Sequence, residues 1–301
     1  MPKIGKRIAA DMRRGDFSAY FATGRAAGLS ETTLSHHKAT MSAAYSWAIE
    51  AEILDSNPLW HFRRGPQPQP RKLTVWDHAT IAAAVVLARG TQAHATAVLG
   101  GWCGLRPSEL CAVRFEDADL KSGVLTVKRS VEETDDGLQE FAPKGGVSRV
   151  APLPSAAVAE LEMLRLAHDV ERLRRPGWNS ERRILCRRDG EQMTPSGMAS
   201  TWSGFVRRRA LPKLSPHGLR HSYGTIICDA AGLKVAQAWL GHTKESTTMI
   251  YHHRTDHALV AAISRLERET AEAVAKAVQD SLLGSDPITS LTAYRAKKSC
   301  K

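Results

Sequence analysis

The chain is 301 residues long, with 42 lysines and arginines against 31 aspartates and glutamates and a formal net charge of +11. No apolar run is long enough to span a bilayer. The five cysteines form no Cys-x-x-Cys pair, which argues against a disulfide framework and a cysteine zinc site and fits a reduced, cytoplasmic setting.

Charge of this sign attracts phosphate backbones regardless of base sequence, so it points to a nucleic-acid partner without identifying one. Lys3, Lys6, Arg7, Arg13 and Arg14 flank no hydrophobic stretch of the size of a secretory leader. Length alone suggests two domains.

Ser30 precedes a helix whose apolar positions Leu34, Met41, Tyr45 and Ile49 follow helical spacing, with an end expected near Asn57-Pro58. Alternating prolines in Arg63-Arg64-Gly65-Pro66-Gln67-Pro68-Gln69-Pro70-Arg71-Lys72 mark a stiff, extended, basic linker. Beyond it, Leu73 to Asp77 leads into an alanine-rich helix for which Thr74 is the expected cap.

Gly100-Gly101-Trp102-Cys103-Gly104-Leu105-Arg106-Pro107-Ser108-Glu109-Leu110 then runs from a small-residue turn into an apolar helix, with Arg106 near its start. That arginine suits a phosphate, and it equally suits a surface pair with Glu109 three residues on, worth a few tenths of a kcal/mol. Val124 to Lys128 alternates as a strand, Asp135-Asp136-Gly137 signals a turn, and Arg149 to Leu153 reads as a returning strand. Lys144-Gly145-Gly146 falls at the reversal before that last strand. Helices are expected from Ala156 to about Leu173, from Pro195 to Arg208, and around His217 and Val235.

Ser215-Pro216-His217-Gly218-Leu219-Arg220-His221, followed by Leu240-Gly241-His242 and then Tyr251, is an inventory for holding a phosphate and attacking it. Arginine offers a planar fork that donates two parallel hydrogen bonds to phosphate oxygens. Histidine adds a directional donor, and a tyrosine phenol can form a covalent intermediate that divides one difficult step into two. Each piece alone is as well explained by a solvated face or a packed core side chain. Tyr223, one turn beyond Leu219, is a competing tyrosine whose position suggests core packing. His36-His37 and His252-His253 read as surface residues.

These boxes together resemble those of the tyrosine recombinases of the phage-integrase family. Gly104 to Leu110 resembles the family's first-arginine box, Pro143 to Arg149 its hairpin-lysine segment, and His217 to His221 its His-x-x-Arg box. Leu240-Gly241-His242 resembles its second histidine box, and Tyr251 its nucleophile. The resemblance implies a mainly α fold with a small antiparallel β-sheet (α+β). Its expected parts are a shortened helical core-binding domain over 1–62, a linker over 63–73, a catalytic domain over 74–255 and a C-terminal helix and tail over 256–301. About sixty residues precede the linker, which is short for a four-helix core-binding domain.

Transferred residue by residue, the resemblance implies that Arg106 and Arg220 clamp the scissile phosphate while His217 and His242 hydrogen-bond it. Lys144 would protonate the departing 5′-oxygen, and Tyr251 would attack to leave a 3′-phosphotyrosyl link. No metal and no cofactor is implied. The expected activity is site-specific DNA recombination or integration, with a DNA-binding remnant or regulator as the alternative.

Double-stranded DNA is the implied partner, in a homotetramer on two duplexes associated with the nucleoid, with an accessory DNA-bending protein as a further candidate and no membrane. A stripe of Leu259, Ile263, Leu266, Val274, Val278 and Leu282, bounded by Asp256 and Gly284, predicts a last helix. Such a stripe can pack on its own domain. In this family it commonly docks on a neighbouring protomer, so helix exchange between subunits is expected.

Overall fold

The computed structural model describes residues 4–62, 74–142, 148–240 and 257–282, and these divide into two compact units at Lys72/Leu73. In the first unit, α1 (Arg14–Ala26) and α2 (Glu31–Glu50) enclose Phe17, Phe21, Leu34, Tyr45 and Leu59. Ser30 starts α2 by accepting the Thr33 amide at 3.1 Å, the cap expected from the sequence. The helix stops at Glu50 instead of near Asn57-Pro58, because the chain turns through Glu52 at φ 55°. Phe17 meets Tyr45 edge to face at 5.9 Å, and the Tyr45 hydroxyl donates to the Ala9 carbonyl at 2.8 Å. The proline-rich segment lies outside the described residues.

The second unit is mainly helical with small antiparallel sheets. Its helices are α3 (His78–Ala88), α4 (His94–Trp102), the single turn α5 (Pro107–Leu110), α6 (Ser155–Arg174), α7 (Pro195–Arg208), α8 (Pro216–Ala231), α9 (Leu233–Leu240) and α10 (His257–Leu282). Asp77, not Thr74, caps α3, since its carboxylate accepts both the Thr80 amide at 2.9 Å and the Thr80 hydroxyl at 2.6 Å. Every residue of α4 is buried, which makes it the centre of the unit. Gly100 lets α8 approach it closely: a Cβ there would lie 2.9 Å from Leu219 Cδ1.

The strand-like region forms two sheets. β1 (Ala118–Asp119), β2 (Val124–Val127) and β5 (Arg149–Pro152) pair in the order β1-β2-β5, all antiparallel, with Leu125 opposite Ala151 and both turned into the core. β3 (Ser130–Thr134) and β4 (Gly137–Phe141) make a separate hairpin around Asp135-Asp136. Glu140 of β4 is held between Arg114 and Arg183, each 3.3 Å away.

Two tryptophans fix the path into α8. Trp76 Nε1 donates to the Pro212 carbonyl at 3.1 Å and Trp202 Nε1 to the Leu214 carbonyl at 2.8 Å, both from rings under 2% exposed. Burying each large ring contributes about 2–3 kcal/mol, so the loop before Ser215 is held by the core itself. Ser215 then accepts the Gly218 amide at 3.0 Å, and Pro216 occupies the first helical position.

Helix α10 packs on α3, α8 and α6 of its own unit. Ala277 is buried against Ala83, beside Ala79 and Val86, and Ala273 and Val274 pack on the main core. Leu282, expected in the apolar stripe, is 82% exposed. The single chain therefore seats this helix on itself, and exchange between subunits would first have to undo that contact. Among the described residues no helix is long and apolar enough to cross a membrane.

Candidate active site

Arg106 follows the turn that ends α4 and is the cap residue of α5, with Pro107 setting the first helical position. Glu109, 1% exposed, reaches back to accept the Arg106 amide at 2.7 Å and Arg106 Nη1 at 2.8 Å. The Arg106–Glu109 pair read as a surface alternative is thus present, but buried. It is also shared: Arg149, the first residue of β5, donates Nη1 to Glu109 Oε1 at 2.7 Å and Nη2 to Oε2 at 2.8 Å. Burial pushes the Glu109 carboxyl up, yet the hydrogen bonds and charges of Arg149 and Arg106 outweigh it and leave the group below its ordinary value.

Arg220 lies on the inward side of α8 and is 2% exposed. Its Nη1 donates to the Gly104 carbonyl at 2.7 Å and its Nη2 to the Leu240 carbonyl. One guanidinium therefore ties α8 to the turn before Arg106 and to the end of α9. Burial first, then the neighbouring charges of Arg106 and Arg149, pulls Arg220 down to about 10, which still leaves it protonated at neutral pH. Gly104 is required where it stands: its φ is +61°, and a Cβ would meet Tyr223 Cδ1 at 2.4 Å.

His217 is exposed in the first turn of α8, its ring 4.5 Å from that of His221 and nearly perpendicular to it. Burial of its inner side, then the charges of His221, Arg220 and Arg106, lowers its pKa and so favours the neutral imidazole. Tyr223 is 2% exposed and burial raises its hydroxyl well above the ordinary value, as expected of a packing residue and unlike a nucleophile.

The structure brings Arg106, Arg220 and His217 together. Lys144, His242 and Tyr251 lie outside the described residues. The flanking described segments are β4 and β5 around Lys144, α9 ending at Leu240, and α10 beginning at His257. Sequence reading named the Arg106–Glu109 pair but missed its burial and its sharing with Arg149. A carboxylate three residues into a helix, just before the apolar run Leu110 to Val113, is a capping pattern that could have flagged Glu109. No local pattern joins it to Arg149, forty residues away. Among the described residues no cluster of histidine, cysteine and carboxylate side chains is built for a metal ion.

Arg106 and Arg149 on one carboxylate, with Arg220 as a charged neighbour, leave a local surplus of positive charge. Such a surplus favours an oxyanion and disfavours a cation.

Comparison with known proteins gives the family. The profile of the phage integrase family matches residues 92–258. The chain is 28% identical to tyrosine recombinase XerC of Xanthomonas campestris pv. campestris (strain B100) over 231 residues, 75% of this chain and 65% of that protein. It thus spans just under two thirds of the Xanthomonas campestris relatives it matches. It is also 28% identical to XerC of Pelotomaculum thermopropionicum over 277 residues, covering 85% of this chain and 83% of that one.

Among solved structures, the Tn1549 transposon integrase with a circular intermediate DNA aligns at a TM-score of 0.64 and 19% identity, covering 86% of each chain. A lambda integrase dimer bound to a COC' core site aligns at 0.59 and 17%, covering 83% of this chain and 82% of that one. These likenesses carry the fold. With the family profile spanning more than half of its residues, this chain belongs to the phage integrase family.

Proposed function

We propose that this protein is a site-specific DNA recombinase that cleaves and rejoins strands through a 3′-phosphotyrosine intermediate. The observation that carries the reading is the buried Arg106–Glu109–Arg149–Arg220 cluster, where cations outnumber anions at the meeting point of α5, α8, α9 and β5. In this reading Arg106 and Arg220 donate to the non-bridging oxygens of the scissile phosphate, with His217 and His242 beside them. The Tyr251 oxygen forms a bond to phosphorus as the bond from phosphorus to the 5′-oxygen breaks.

The phenol proton passes to a neutral imidazole, a state that the lowered pKa of His217 supports, and Lys144 protonates the departing 5′-oxygen. The phosphotyrosyl ester conserves the bond energy, so rejoining to a 5′-hydroxyl needs no nucleotide. Residues 1–62 would form a core-binding domain, 74–255 the catalytic domain, and 256–301 the C-terminal helix and tail. The working assembly would be a homotetramer on two duplexes.

A pool of nicked duplexes randomised on both sides of the nick tests this directly. The full chain should retain DNA through denaturing detergent, linked at a 3′ end, and Tyr251→Phe should retain none. DNA bound by the wild-type chain with no covalent product from any pool would overturn the assignment in favour of a binding regulator.

A further inference from the structure

Arg149 occupies a place that the reaction as described does not use. It is 11% exposed at the side chain and turns both terminal nitrogens onto Glu109, while its Nε donates to the Trp239 carbonyl at 3.4 Å. Glu109 uses its two oxygens to hold both the backbone and the guanidinium of Arg106. The next carbonyl of α9, that of Leu240, accepts from Arg220. One side chain therefore ties together three elements distant in sequence, its own strand included. These are the turn bearing Arg106, the first residue of β5, and the last turn of the helix that precedes His242.

We propose that Arg149 is a positioning residue for strand cleavage, which aims Arg106 at the phosphate through Glu109 and fixes the end of α9 beside Arg220. The inference rests on the strand-transfer reading above. A carboxylate with only Arg106 as partner could swing with that partly exposed side chain; the bidentate fork of Arg149 locks it in one plane. The pair also matches charge. Without Arg149 a buried Glu109 would keep Arg106 as its one hydrogen-bonded guanidinium partner among the described residues and draw it inward, away from substrate.

The test compares Arg149→Gln and Arg149→Lys with the wild-type full chain on a nicked duplex recovered from the covalent pool. Each is assayed with an ordinary phosphate and with a methylphosphonate at the cleaved position. The methylphosphonate lacks the charged non-bridging oxygen that a well-aimed Arg106 serves. On phosphate, Arg149→Gln should form adduct on the order of 100-fold more slowly, the scale of loss from misplacing a reacting group by about 1 Å. On methylphosphonate the gap to wild type should shrink to less than about tenfold.

A merely structural role would slow both substrates alike, and that result, or wild-type rates on phosphate, overturns the proposal. If Arg149→Gln loses its cooperative melting transition, Arg149→Lys carries the test, since it keeps the charge and lacks the fork. Noncovalent DNA affinity, measured with Tyr251→Phe added, should stay within a few-fold. Wild-type protein that forms no adduct at all defeats the strand-transfer reading and this inference with it; wild-type adduct with an unaffected Arg149→Gln defeats the inference alone.

Discussion

Replacing Gly104 by alanine perturbs the point where fold and site coincide. The backbone there is left-handed at φ +61°, a conformation that places a Cβ against the following carbonyl at about 1–2 kcal/mol. The new methyl would also stand 2.4 Å from Tyr223 Cδ1 and 3.0 Å from Leu240 Cδ2. Both neighbours are buried, so crowding adds roughly 1–3 kcal/mol.

The sum, about 2–5 kcal/mol, should lower the melting midpoint of a unit of this size by roughly 4–20 °C. Gly177→Ala separates the two effects, because Gly177 has a φ of +85° with no atom near its would-be Cβ and should show only the smaller, conformational loss. Scanning calorimetry or urea denaturation measures both variants. The Gly104 carbonyl anchors Arg220, so adduct formation on the nicked duplex should fall as well. A Gly104→Ala chain that melts within about 2 °C of wild type and cleaves normally would refute the placement of this turn.

Two further outcomes follow from buried polar groups. His168 lies edge-on to Phe115 and Trp178 and accepts a hydrogen bond from Asn179 at 3.2 Å; burial pulls its pKa down to about 4 from 6.5. Its contribution is therefore complete above pH 6.5 and lost as the pH falls towards 4, about 3 kcal/mol in all. The stability difference between wild type and His168→Gln, from urea midpoints at successive pH values, should change across that window, and a constant difference would contradict it. Glu160, 2% exposed, receives Arg89 at 2.5 Å and His94 at 2.8 Å. Glu160→Ala strands these partners and should cost about 3–5 kcal/mol by chemical denaturation, while a loss under about 1 kcal/mol would show that the cluster relaxes freely.

Where a local signal and the tertiary structure act together, the chain reads correctly from its residues. Ser30 and Ser215 are caps because their hydroxyls reach amides three residues on, and α7 runs from Pro195 to Arg208 as its spacing predicts. Thr74 was a plausible cap by type, but Asp77 lies three residues before the amide that needs a partner. On α10 the apolar stripe rightly includes Val274, which packs on the main core, but omits the small Ala273 beside it and Ala277 against Ala83. The division of the strands into two sheets follows from the pairing of β2 with β5 across the intervening hairpin, which no alternation pattern encodes. Arg106, His217 and Arg220 were legible as a motif, and Glu109 carried a local capping signal three residues from Arg106; Arg149 joins that carboxylate through space alone.

The shared use of Glu109 has an electrostatic corollary for selectivity. Among the described side chains, Arg106, Arg149 and Arg220 less Glu109 leave a formal surplus of two, trimmed by the partial negative end of α9 at Trp239 and Leu240. A resting phosphodiester carries a single charge, too little to neutralise that excess. Five-coordinate phosphorus carries nearly two. In the strand-transfer reading these described charges are thus under-matched by the ground state and better matched by the species at the top of the barrier, which is the direction in which binding accelerates a reaction.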